Sequence, residues 1–252
     1  MKSGQQVTLR VWRGDRRGGG FKEYTVPQTE GMVVLDALRA AQATQAPDMG
    51  IRWNCKAGKC GSCSAEVNGH PVLTCMTRLA ELHEEGPVTV APLKTFPVIK
   101  DLVTDVSWNY EKAKEIPPFA PRPKDPDGKR RMYQEDVDRV QEFRKCIECF
   151  LCQNVCHVIR DHPENKPAFA GPRFFVHLAA LEMHPWDTAD RVDLIKQDAG
   201  IGFCNITKCC TEVCPENIRI TDNAIIPLKE RVVDRHYDPV LWLWRKVTGR
   251  AT

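Results

Sequence analysis

Arg52-Trp53-Asn54-Cys55-Lys56-Ala57-Gly58-Lys59-Cys60-Gly61-Ser62-Cys63 sets three thiols and two glycines in one short loop, and a fourth thiol, Cys75, follows it. A loop that wraps an inorganic centre must pass through positive φ and bring bare backbone N–H groups to sulfur, as Gly58 and Gly61 permit. Those amide dipoles, with Lys56 and Lys59 beside them, offset the negative charge of thiolates. Asn68-Gly69 between segments 64–67 and 71–74 predicts a tight hairpin turn, so Cys75 returns on the far strand. Working outward, Val7, Leu9 and Val11 alternate with polar residues as a half-buried strand does, and 24–26 is a plausible partner. Val34, Leu35 and Leu38 fall at helical spacing within 33–42, and 88–93 reads as a further strand. Strands around one helix, with a cysteine-rich loop between Arg52 and Ser64, predict a small β-grasp sheet.

Eleven of the twelve cysteines fall into three runs. The first, Cys55, Cys60, Cys63 and Cys75, has the C-x4-C-x2-C-x11-C spacing of plant-type [2Fe–2S] ferredoxins. A structural zinc site is the competing reading, but zinc sites use two separate C-x2–4-C knuckles, which this run lacks. A Rieske centre needs two His ligands, and none lies in the loop. The second run is Cys146, Cys149, Cys152 and Cys156; the third is Cys204, Cys210 and Cys214, followed by Pro215. In two-cluster ferredoxins the fourth Cys of each run ligates the other run's cluster. On that rule Cys146, Cys149, Cys152 and Cys214 hold a [4Fe–4S] cluster, and Cys156, Cys204 and Cys210 hold another centre. The middle ligand position of the third run is Thr207, leaving seven thiolates where two cubanes need eight. A cluster short of one ligand can lose one iron, so the third centre is expected to be [3Fe–4S]. Cys209 reads either as a spare thiol or as an off-register ligand that would restore a four-iron cluster; two successive cysteines rarely point at one cluster, which favours the spare thiol.

The rest of the chain bounds the function. With 252 residues, 42% of them hydrophobic and 27% charged, two soluble domains are the default. A net charge of +3 with basic and acidic residues interspersed gives no nucleic-acid groove. No signal peptide or membrane-length apolar run is visible, and cysteine is too sparse for a disulfide scaffold, so reduced thiols point to metal. Segment 116–131 is rich in Pro and charge (Pro117, Pro118, Pro121, Pro123, Pro126) and reads as a linker or extended crossover. Beyond it, Val137, Val140 and Phe143 share one helical face, as do Phe174, Leu178 and Leu181 after Pro172; 224–233 is a third helical stretch. The expected fold is α+β. Residues 1–106 form a plant-type ferredoxin β-grasp domain, 107–131 a connector, and 132–252 an all-helical bacterial-ferredoxin-like domain. His162, His177 and His184 read as packed or surface side chains. Leu241, Trp242, Leu243 and Trp244 read either as a membrane-interface foot or as a segment packed on protein. No phosphate loop, Ser–His–Asp arrangement or carboxylate pair stands out, so no catalytic acid, base or nucleophile is expected.

With three runs in this order and spacing, and with Phe169-Ala-Gly171-Pro172 between the last two, the sequence resembles the iron–sulfur subunits of succinate dehydrogenase and fumarate reductase. The resemblance covers nearly the whole chain. It implies a subunit of a membrane-bound succinate:quinone oxidoreductase, peripheral on the cytoplasmic face of the inner membrane, or of a fumarate reductase working in reverse. Its implied partners are a flavoprotein subunit, membrane-anchor subunits and a quinone, with FAD and any haem confined to the partners. Electrons would pass from flavin through [2Fe–2S], [4Fe–4S] and [3Fe–4S] to quinone. The sequence departs from many members at His157, where Pro is common, and at Val158, Ile159, Arg160 and Asp161, where some carry Trp. His157, Arg160 and Lys229 are the quinone-proximal residues that position suggests. A zinc-stabilised structural module is the alternative from a different class.

Overall fold

A computed structural model describes residues 6–82 and 86–248. The strands are β1 (Gln6–Asp15), β2 (Gly18–Pro27), β3 (Ser64–Val67), β4 (His70–Leu73), β5 (Val88–Ala91), β6 (Val98–Lys100) and β7 (Val103–Thr104). The helices begin with α1 (Val34–Thr44), between β2 and β3. After the last strand come α2 (Ser107–Ala113), α3 (Gln134–Val140), α4 (Leu151–Val155), α5 (His157–Arg160) and α6 (Pro172–Glu182). The chain closes with α7 (Val192–Lys196), α8 (Cys209–Glu212), α9 (Ile226–His236) and α10 (Pro239–Thr248). Two compact units form from an interleaved chain. The first holds residues 1–107, 147–155 and 213–215; the second holds 108–146, 156–212 and 216–252.

In the first unit the seven strands form one sheet in the order β4-β3-β5-β1-β6-β7, with β2 paired to β1. β1 runs parallel to β5 and antiparallel to β2. A parallel pair needs a crossover, and α1 lies within it. Leu9, Val11, Val26, Val67 and Val90 pack with Val34, Ala37, Leu38 and Ala41 of α1 in one apolar core. The expected alternation at Val7, Leu9 and Val11 is therefore the pleat of β1. Its partner is longer than 24–26, because ten residues from Gly18 to Pro27 pair with β1. Gly18, Gly19 and Gly20 carry no side-chain pattern to announce it. Asn68 and Gly69 both adopt positive φ at the β3–β4 turn, as a two-residue hairpin demands.

The second unit is helical. Segment 116–131 contains no regular element but is an anchored crossover rather than a free linker. The Arg191 guanidinium, fully buried, donates to Pro117 O at 3.0 Å and Pro118 O at 2.9 Å, and pairs with Asp187 at 2.8 Å. Asp187 in turn accepts from the Ala120 N–H at 3.0 Å. α6 starts with Pro172 in its first turn after Gly171 at φ 83°, and buries Phe174, Phe175, Val176, Leu178 and Ala179. The helix expected over 224–233 begins as a π-helical turn, Ile220–Ile225, and becomes α-helical only from Ile226. Pro227, which has no N–H to give, fits only in the first turn of the α-helix that follows.

Candidate iron–sulfur sites

The loop between α1 and β3, with the turn that follows β4, presents four thiols in two pairs. Cys55 and Cys60 lie within hydrogen-bond reach of each other, and so do Cys63 and Cys75. Paired thiols suit a centre of two irons, each taking two. Among the described residues, no group of three or more His, Cys, Asp or Glu gathers on one metal ion. Lys56, Gly58 and Gly61 hold φ of 56°, 66° and 66°, which turns the backbone amides inward. The N–H groups of Ala57 and Lys59 donate to Cys55 Sγ at 3.4 and 3.3 Å. Burial pushes Cys60 up, but the Ser62 hydroxyl and the backbone at Cys55 and Ser62 outweigh it and bring the thiol to about 6. Cys75 goes to about 11 through burial and its contact with Cys63. Cys60 is thus ready to ionise, while Cys75, in the turn just past β4, needs a cation to do so. The donor set fits a cluster.

Two backbone details tighten this loop. A Cβ on Gly58 would meet the Met76 side chain at 3.0 Å. One on Gly61 would stand 2.6 Å from Cys149 Cα and 2.9 Å from Ile147 O. Segment 147–155, which brings Cys149 and Cys152, is anchored beside it by buried polar groups. Asn154 Nδ2 donates to Glu66 Oε1 at 2.7 Å, and Asn154 Oδ1 accepts from the Thr95 N–H at 3.0 Å. Cys214 belongs to the same unit; Cys146 ends the 3-10 turn Gln141–Lys145 in the other.

Cys156, Cys204 and Cys210 all lie in the second unit. Burial, then the neighbouring Cys209 and Cys210 thiols, pushes Cys156 up to about 12. Burial raises Cys210 to about 11 against a hydrogen bond from Thr221. Such thiols stay neutral until a metal displaces the proton. Thr207 sits between Ile206 and Lys208, at φ of 63° and 64°. Cys149 sits between Glu148 and Phe150, at φ of 54° and 60°. The two runs therefore fold alike around their middle position, and threonine stands where the other run has a thiol. Cys209 begins α8 with its sulfur 3.4 Å from Thr207 Oγ1. Of the quinone-proximal residues, His157 and Arg160 bracket the single turn of α5 that Cys156 opens. Lys229 on α9 donates to the Cys204 carbonyl at 2.6 Å. The sequence reading gave Glu142 no role. Its carboxylate accepts from the Arg219 N–H and from Asn223 Nδ2, at 2.5 Å for the latter, fixing the backbone beyond Cys214.

Residues 8–111 match the 2Fe-2S iron-sulfur cluster binding domain family, and residues 142–218 match the 4Fe-4S dicluster domain family. The chain is 34% identical over 203 residues to the fumarate reductase iron-sulfur subunit of Mycobacterium tuberculosis, covering 79% of this chain and 80% of that one. The chain is an iron–sulfur subunit of the succinate dehydrogenase/fumarate reductase family. A chain of the Mycobacterium smegmatis Sdh1 complex in the apo form superposes with a TM-score of 0.89 at 64% identity, covering 93% of this subunit and 98% of that chain. The succinate dehydrogenase iron-sulfur subunit of Coxiella burnetii is 29% identical over 199 residues, covering 78% and 82%. The α+β architecture expected of the family subunit, a ferredoxin-type sheet followed by a helical ferredoxin-like region, is the one observed. As a member it is the electron-transfer subunit of an oxidoreductase complex with [2Fe–2S]- and [4Fe–4S]-binding domains. Among the described residues no helix is long and apolar enough to cross a membrane.

Proposed function

We propose that this subunit serves a succinate:quinone oxidoreductase, relaying electrons from a flavoprotein subunit to a quinone at a membrane anchor, peripheral on the cytoplasmic face of the inner membrane. Cys55, Cys60, Cys63 and Cys75 hold [2Fe–2S]; Cys146, Cys149, Cys152 and Cys214 hold [4Fe–4S]; Cys156, Cys204 and Cys210 hold [3Fe–4S]. When bound, such clusters take up and release single electrons at potentials set by cluster type, charge and hydrogen bonding. The chain's own work is to fix the thiolates, exclude water and aim N–H groups at sulfur. Ala57 and Lys59 do the last at Cys55. The observation that carries the three-iron assignment is Thr207 between two left-handed residues, in the backbone setting that Cys149 occupies in the other run. His157, Arg160 and Lys229 are the residues we assign to the quinone side.

Iron and sulfide analysis with EPR of the oxidised and reduced protein tests this. The expected result is about nine irons per chain and an oxidised-state signal from the three-iron centre. Zinc in place of iron would sink the proposal. Ten irons without an oxidised-state signal would make Cys209 a ligand. Fumarate reduction is the second reading, favoured by the fumarate reductase among the relatives. Turnover of the assembled complex with succinate and with fumarate separates the two.

A further inference from the structure

The last helix has a face that the electron-transfer reading does not use. Val240, Leu243, Trp244 and Val247 are 73%, 56%, 45% and 78% exposed. They stand at i, i+3, i+4 and i+7, one continuous stripe along α10. Four large apolar side chains in line on a short terminal helix are not the scattered exposed residues of an ordinary surface. At ten residues the helix is about 15 Å long, half the thickness of a bilayer core, so it can lie on a membrane but not cross it.

Charge selects the occupant. Residues 239–252 contain Arg245, Lys246 and Arg250 and no acidic residue. The acids at the head of the helix are already engaged. Asp238 accepts from the Val240 N–H at 2.8 Å, Asp190 pairs with Arg235 at 2.7 Å, and Asp193 with His236 at 2.9 Å. Lys196 adds another cation there, with Nζ 4.8 Å from the Tyr237 ring centroid. An aliphatic stripe with an indole in it, on a segment whose own charged residues from 239 to 252 are all basic, matches the boundary between acyl chains and anionic headgroups. We propose that α10 is an interfacial foot that binds the surface of an anionic bilayer, with the Val240–Leu243–Trp244–Val247 stripe immersed.

The test uses the full-length, cluster-loaded subunit, sedimented with vesicles of phosphatidylcholine alone or mixed equally with phosphatidylglycerol. The expected result is at least about tenfold stronger partitioning onto the anionic vesicles, weakening as salt rises. Leu243→Asp with Val247→Asp should reduce it by about tenfold or more, with the visible cluster spectrum and melting temperature unchanged because both sites face outward. Arg245→Gln with Lys246→Gln should flatten the salt dependence while leaving the stripe intact. Brominated lipid should quench tryptophan emission in the wild type and less in Trp244→Phe. Equal binding to both vesicles, or no binding, would overturn the proposal. So would a Leu243→Asp/Val247→Asp variant that binds lipid normally but fails to assemble with the membrane subunits, since the stripe would then belong to a protein interface. Loss of lipid binding leaves iron content and EPR signals untouched, so this proposal and the electron-transfer reading fail separately.

Discussion

Gly61→Ala separates two costs that coincide at the first cysteine loop. Gly61 holds φ 66°, a conformation that costs a residue with a Cβ about 1–2 kcal/mol. The added methyl would also stand 2.6 Å from Cys149 Cα and 2.8 Å from Cys149 N. Both are backbone atoms, which cannot swing aside, so the overpacking adds about 1–3 kcal/mol. The sum is about 2–5 kcal/mol, a large part of the 5–15 kcal/mol by which a typical domain is stable. In a protein of this size that lowers the melting temperature by roughly 5–20 °C. Gly69→Ala is the matched control: its φ is 77°, yet nothing lies within 4 Å of the new Cβ. It should show the backbone cost alone, roughly two-fifths to a half of the effect. The assay is thermal unfolding of both variants, with iron content measured before heating. If Gly61→Ala melts no lower than Gly69→Ala, the close approach of the loop to segment 147–149 is wrong.

Other substitutions probe the second unit. Thr207→Cys restores the missing thiolate, and should add about one iron per chain and abolish the oxidised-state EPR signal; Cys209→Ser should change neither. Arg191→Met removes the cation paired with the buried Asp187 carboxylate and the donor to the Pro117 and Pro118 carbonyls, and should cost about 3–5 kcal/mol in denaturant unfolding. A cost below about 1 kcal/mol would mean that segment 116–131 is not held there. Burial pulls Asp187 upward, but N–H groups of Ala189 and Ala120 and the Arg191 guanidinium outweigh it and hold the carboxyl below its usual value. A depressed folded-state value gives stability that is present above the ordinary Asp range and is lost as pH falls through the folded one. Asp187→Asn should therefore flatten the acid limb of a stability–pH curve below about pH 4, and an unchanged limb would refute it.

The parts of the fold legible in the sequence are those that local chemistry dictates. Asn68-Gly69 announced the β3–β4 hairpin because few other residues tolerate two successive positive φ values. Pro172 announced the start of α6 for a similar reason. The thiol runs were legible because ligand spacing is covalent arithmetic along the chain. What escaped depends on partners distant in sequence. The length of β2 is set by pairing with β1, and its Gly18-Gly19-Gly20 start has no pattern of its own. The π-helical turn at Ile220–Ile225 looks like ordinary helix in sequence. Thr221 within it, hydrogen-bonded to Thr211 and Cys210, shows which contacts fix that turn. Segment 116–131 reads in sequence as a linker or a crossover alike, because the restraint that decides for the crossover comes from Arg191, some 74 residues on.

The interleaving of the two units has a consequence for how the subunit is made. A chain leaves the ribosome N-terminus first, and domains usually fold in that order. Here the sheet-bearing unit also includes residues 147–155 and 213–215, although its apolar core is drawn from residues 7–102. Its last piece therefore arrives only when residue 215 of 252 has emerged. Any product terminated earlier lacks part of both units and stays open to proteases. Cutting the gene at the end of the ferredoxin-like sheet would keep the apolar core but strip segment 147–155 from beside Gly61 and Glu66.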